Sequence, residues 1–189
     1  MRNRDLIMTL VASSVVIAPL AGSASPPEDQ QLAIMETDNS FRLSVPVSRL
    51  IMTLPRGNLT VVHESGSGAA ASSRYFHFED AHGIIISGWF ESAQSYGSIK
   101  QFWKGETDAW KKNHLPNPRD TSIVKIDNWD AILYDIKVPG GSNTHIRGEW
   151  VELGTWIDVH ISVTTAEPIG AARARAMSVL RSIRITEAP

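Results

Sequence analysis

The residues from His82 to His114, HGIIISGWFESAQSYGSIKQFWKGETDAWKKNH, constrain the fold more than any other stretch of the chain. Ile84, Ile85 and Ile86 are consecutive β-branched residues, and Trp89 and Phe90 follow them. An unbroken apolar run of this kind predicts a central strand covered on both sides. After Gln94 the period changes to that of a helix of about five turns. Ile99, Phe102, Trp103, Glu106, Trp110 and Asn113 recur at steps of three and four, while Lys100, Lys104, Asp108, Lys111 and Lys112 face elsewhere. This is the pattern of a helix lying on a sheet. Ser98 followed by Gln101 fits a capping box, the basic residues Lys111, Lys112 and His114 suit the helix C-terminus, and Pro116 and Pro118 prevent continuation. Trp103 and Trp110 could form a ligand-stacking pair, but their place on the apolar stripe favours core packing.

The chain has 189 residues and opens with Arg2 and Arg4, an apolar segment from Leu6 to Leu20, and the small residues Ala21 to Ser25. That order predicts a secretory signal peptide, cleaved after Ala24 or, as second choice, after Ser25. The apolar segment is short for a membrane span, and Pro19 ends it. Cysteine is absent, so a lipid-anchored form is not expected and the protein should be released, periplasmic if the source is Gram-negative. The rest of the chain fits one domain, residues 40–187, after a leader at residues 25–39 that includes the start of the first hairpin. It is long enough to bury a core without disulfides. Without Arg2, Arg4 and Asp5 it carries 16 basic and 19 acidic residues, a formal charge of −3. Neither nucleic acid nor an anionic membrane is an expected partner on that balance, and stable membrane insertion is not expected.

Turn chemistry divides the chain into hairpins. Leu32–Met35 and Phe41–Val45 flank Thr37 to Ser40. Ser48 to Leu54 turns through Pro55 to Asn58 into Leu59–His63, and Ser65–Ser73 is a loop by composition. Arg74 to Glu79 pairs back onto Gly83 to Glu91. Beyond the helix, Ser122 to Ile126 and Ala131–Val138 surround Asp127 to Asp130, and Pro139–Asn143 is a turn. Thr144 to Glu152 and Thr155–Thr164 form the clearest hairpin, joined by Leu153-Gly154. A last helix starts at Pro168, with Ile169, Ala172, Ala176, Val179, Leu180 and Ile183 as its stripe and Arg173, Arg175 and Arg181 on a solvated face. The fold class is therefore α+β: an antiparallel β-sheet built from successive hairpins, with two main helices packed on it.

The strand and helix order, the core helix with Trp103 and Trp110, and the final passage from strand to helix resemble the PsbP-like family over residues 40–187. That family includes small exported bacterial members such as the DcrB-like proteins. Where family members place an early helix, this chain reads as hairpins. The resemblance implies an α/β/α-type sandwich and a binding or assembly factor rather than an enzyme.

The last hairpin permits a sharper inference. With Leu153-Gly154 as a two-residue loop, Trp150 faces Ile157, Gly148 faces Val159 and Ile146 faces Ile161 on an apolar side. The other side pairs Val151 with Trp156, Glu149 with Asp158, Arg147 with His160 and His145 with Ser162. Opposed residues share a face, so Arg147, Glu149, Asp158, His160 and His145 form one polar cluster. Glu149, Asp158 and His160 are the candidate catalytic residues, and Arg147, His145, Trp156 and Trp129 the candidate binding residues. The histidines and carboxylates are zinc-ligand types, although a strand pair lacks the spacing of an HExxH helix. No cofactor is expected, and a divalent metal stays open. The simpler expectation is a solvated sheet face laced by Arg147 salt bridges.

Other motifs carry less. His77 and Glu79 alternate on a strand and read as a surface pair. Ser67 lies in SGSG without a GxSxG elbow, and Ser65 to Gly68 lacks the lysine of a phosphate loop. Trp129 in a turn and Trp156 on the polar side could be an exposed platform, with burial under a neighbouring loop the more ordinary outcome. These observations point to an exported, non-catalytic binding or accessory protein whose partner is another envelope or secreted protein. Neutralising a secreted toxin and maintaining the envelope both fall in that class. The competing reading is a hydrolase using Glu149, Asp158 and His160, with or without a metal. Self-association through an apolar edge strand is a third.

Overall fold

A computed structural model describes residues 32–45, 48–62, 74–138 and 141–189. The expected signal peptide and the Ser65–Ser73 loop, with Ser67, lie outside the described residues. In chain order the strands and helices are β1 (Ala33–Glu36), β2 (Ser40–Ser44), β3 (Leu50–Pro55), β4 (Thr60–Val61), β5 (Tyr75–Glu79), β6 (Ile84–Ser92), α1 (Ile99–Lys112) and β7 (Arg119–Ile126). Then come β8 (Trp129–Val138), β9 (Gly141–Glu152), β10 (Thr155–Thr165), α2 (Ile169–Ser182) and β11 (Arg184–Glu187). The chain is an α+β protein of antiparallel sheets with two helices packed on them.

Among the described residues the strands divide between two sheets, not one. The smaller runs β1-β2-β3-β11 and the larger β4-β5-β6-β10-β9-β8-β7. The division falls between β3 and β4, since β3 pairs with β2 on one side and, on the other, with the last four-residue strand, β11, Arg184 opposite Thr53. Its sequence, RITE, offers one apolar residue and gives no strand signal on its own.

One face of the large sheet carries Phe76, Phe78, Ile86, Phe90, Ile157, Val159, Ile161, Ile146 and Leu133, all buried. The small sheet (Phe41, Leu43, Met52, Leu54) and α2 (Ala172, Ala176, Leu180) pack on this face in one continuous core. Gly148 permits the approach of α2: a Cβ there would stand 2.8 Å from Leu180 Cδ1. Helix α1 covers the other face, where Trp110, Ile132 and Tyr134 form a separate small cluster with Phe102 and Trp103 at its margin. The long β6 strand accordingly alternates between buried and half-buried residues rather than being sealed on both sides.

Helix α1 is about four turns long, not five. The Ser98 hydroxyl accepts the Gln101 amide at 3.2 Å, as an N-cap does, and Lys111 and Lys112 occupy the last turn. Trp103 and Trp110 pack on Tyr134, with ring centroids 5.1 and 5.4 Å away, so Trp110 is a core residue and Trp103 a half-buried one beside it. Three smaller expectations need correction. Gly141 to Asn143 belong to β9, because pairing with β8 extends to Val138 opposite Gly141. Pro168 is the N-cap of α2 rather than its first residue. The α2 arginines are not all solvated: Arg173 binds Asp135 at 2.5 Å and the Asp120 carbonyl at 2.6 Å, and Arg175 lies 3.6 Å from Asp80. Arg181 is exposed.

Candidate functional site

The β9–β10 hairpin has the inferred register throughout. Thr155 opposes Glu152, Asp158 opposes Glu149, and His160 opposes Arg147. Both turn residues have positive φ, 44° at Leu153 and 75° at Gly154, as a two-residue hairpin loop requires. Arg147, Glu149, Asp158, His145 and His160 therefore do share a face.

That face is not solvated. Arg147 and Glu149 are each 1% exposed and Asp158 is fully buried, because α1 lies across them. Arg147 is the centre of the cluster. Its guanidinium contacts the Asp158 carboxylate directly and stands 3.5 Å from Glu106 of α1. It is also layered between the rings of Trp89 on β6 and Phe102 on α1, 5.2 and 5.0 Å from their centroids. The arrangement ties helix to sheet through charge and through cation–π contact at once.

Glu149 turns to the other side of the cluster, where its carboxylate accepts the Trp156 indole N–H at 2.6 Å. Its second oxygen has no hydrogen-bond partner among the described residues, and neither does Oδ1 of Asp158. Burial, reinforced by the neighbouring Asp158, pushes the Glu149 carboxyl well above the usual carboxylate range. Burial also pushes Asp158 up, to about 6, against the pull of Arg147. For Arg147 itself, burial is outweighed by Asp158, Glu106 and Glu149, which hold it firmly protonated.

The histidines form a separate stack. The Tyr134 and His145 rings are parallel with centroids 4.9 Å apart, and His160 follows at 5.1 Å. His145 Nδ1 lies 2.9 Å from His160 Nε2, so one ring donates and the other accepts. Burial and the nearby Arg147 lower His145 to about 4. The same two causes, with His145 added, take His160 well below its ordinary value although part of its surface is open. Both rings are neutral at pH 7.

No group of three or more histidine or acidic side chains stands together as a metal-ligand set among the described residues. Glu149 engages Trp156, Asp158 engages Arg147, and the histidines engage each other, which leaves the cluster without a shared focus for an ion. The proposed aromatic platform is also absent. Trp129 opens β8 and is 1% exposed, edge-on to Trp150 at 5.2 Å, and Trp156 is 8% exposed. His77 and Glu79 do pair, at 3.2 Å, but His77 is buried rather than superficial.

An open recess lies beside the cluster, at the start of α1. Its volume is about 240 Å³, and its walls include Tyr96, Gln101, Phe102, Gly105, Glu106 and Trp156. Tyr96 and Trp156 approach to 5.3 Å between centroids, and Phe102 meets Trp156 edge-on at 6.0 Å. Sequence reasoning did not pick out Tyr96, Phe102 or Glu106 as site residues. A usable signal existed for the last: an acid in the middle of an otherwise apolar helical stripe implies a cationic partner on the surface beneath.

No family model and no curated protein matches the chain. A crystal structure of a protein from Bacteroides thetaiotaomicron VPI-5482 is similar at 16% identity and a TM-score of 0.44, over 74% of this chain and 46% of that one. The chain thus spans less than half the length of that protein.

Proposed function

We propose that the protein is an exported, non-catalytic binding factor that works in the bacterial envelope or outside the cell, with no cofactor of its own. Kinship with the PsbP-like family is part of the same proposal. One observation carries the binding reading. Glu149 and Asp158 lie buried beneath α1, engaged with Trp156 and Arg147, while the space open beside them is a preformed aromatic recess. Ligand sites are commonly concave and mostly apolar with a few polar groups.

The raised Glu149 carboxyl favours a second reading, a hydrolase with Glu149 as general acid reached past Trp156. A panel of ester, phosphoester, glycoside and peptide substrates separates the two. The binding reading expects no turnover that Glu149→Gln removes. Hydrolysis abolished by that substitution would establish the hydrolase instead. Thermal melting with EDTA and then with zinc, calcium or magnesium should show no shift, and stabilisation by one ion would overturn the cofactor-free reading. Fractionation of cells should find the chain shortened near Ala24 and outside the cytoplasm.

A further inference from the structure

We propose that the recess formed by Tyr96, Phe102, Trp156, Glu106 and Gly105 binds a small organic cation, an amine or quaternary ammonium group. The inference rests on the binding reading above and specifies its ligand.

Three independent features point to this class. The first is the wall chemistry. Three aromatic rings bound the recess, and ring faces attract cations through their quadrupoles, most strongly where water is excluded. The Tyr96 hydroxyl is buried and has no hydrogen-bond partner among the described residues, so it is the Tyr96 ring that serves the recess as a wall.

The second is the sign of the charge. Among the described residues that line the space, Glu106 is the one carboxylate and none is a lysine, arginine or histidine. The nearest guanidinium, Arg147, already faces Asp158 and Glu106 and is layered against Phe102. One cation set between two carboxylates, Asp158 and Glu106, leaves a deficit of positive charge that an anion would worsen and a cation relieves.

The third is Gly105. Glycine inside a helix is unfavourable relative to alanine. Nothing in the packing requires it here, since a Cβ at this position would meet no atom within 4 Å. Its effect is to keep the recess open on the helix side. At about 240 Å³ the space is smaller than an ordinary drug-sized pocket and suits a compact head group.

Calorimetric titration of the full chain with choline, tetramethylammonium and 3,3-dimethyl-1-butanol, the uncharged isostere of choline, tests the inference. Choline should bind about tenfold or more tightly than the isostere. Gly105→Leu, which fills the recess from an exposed helix position, should weaken choline about tenfold while the melting temperature stays level or rises. Tyr96→Leu should weaken it by a similar factor, and Glu106→Gln should reduce the preference for charge. No binding of either cation at millimolar concentration would overturn the inference, as would binding unchanged in Gly105→Leu. Equal binding of choline and its isostere, both lost in Gly105→Leu, would overturn the cation assignment and leave the binding reading standing. Glu149-dependent hydrolysis would instead remove the binding reading itself.

Discussion

Burying Arg147 is unfavourable in itself, since a guanidinium leaves water only with its hydrogen bonds and charge replaced. Asp158, Glu106 and the rings of Trp89 and Phe102 supply those replacements. Removing the cation alone should therefore be severe. Arg147→Met is expected to lower stability by about 3–5 kcal/mol in urea unfolding, because two carboxylates then stay buried without it. Adding Asp158→Leu should restore part of the loss. Glu149 behaves in the opposite sense. Its raised carboxyl means that the folded state holds a proton the unfolded chain releases, so stability falls as pH rises through the folded value. Asp158 has the same sign between its ordinary 3.8 and about 6. His145, ordinarily at 6.5 and here at about 4, loses stability as pH falls across that interval, and His160 follows it. Within the cluster the carboxyls and histidines oppose each other below about pH 6. Glu149→Gln should be more stable than the parent by about 1–2 kcal/mol at pH 8. The gap should close or reverse at pH 5, as unfolding curves at the two pH values would register.

At the scale of elements, the β9–β10 hairpin was fully legible in the sequence. Its alternation and its Leu-Gly loop fix every pair from Thr155–Glu152 outward. What the hairpin could not disclose is which of its faces meets water, since that depends on where a helix 40 residues earlier comes to rest. Glu106 held half of the answer and Arg147 the other half, but neither sequence neighbourhood points to the other. The second sheet was hidden for a related reason: β11 is too short to announce itself, and its partner β3 is far away in the chain. The loop itself is imperfect. Leu153 is exposed and sits at a φ of 44°, where a branched apolar side chain has no advantage. Leu153→Asn gives the Asn-Gly pair favoured in such loops and should stabilise by about 0.5–1 kcal/mol, measurable by thermal unfolding.

For the whole molecule, the large sheet separates two interiors of different character. One is apolar and shared by the small sheet and α2; the other is polar and aromatic and is roofed by α1 together with Tyr96 just before it. Hydrogen exchange should follow this division. Amides of β8, β9 and β10, central in the large sheet, are expected to be the slowest, and those of the edge strands β1 and β4 the fastest. Protection in α1 that survives Arg147→Met undiminished would show that the ion pair is not what holds the helix down. Finally, the alternation along β9 and β10 has a consequence for assembly. A slip of β9 by one residue against β10 would carry Arg147 and Glu149 into the apolar interior and turn Ile146 toward α1. Among the described residues that interior is lined by apolar side chains. The misaligned hairpin is thereby excluded as the chain folds, so the charged pair acts as an error-correcting mark that admits a single alignment.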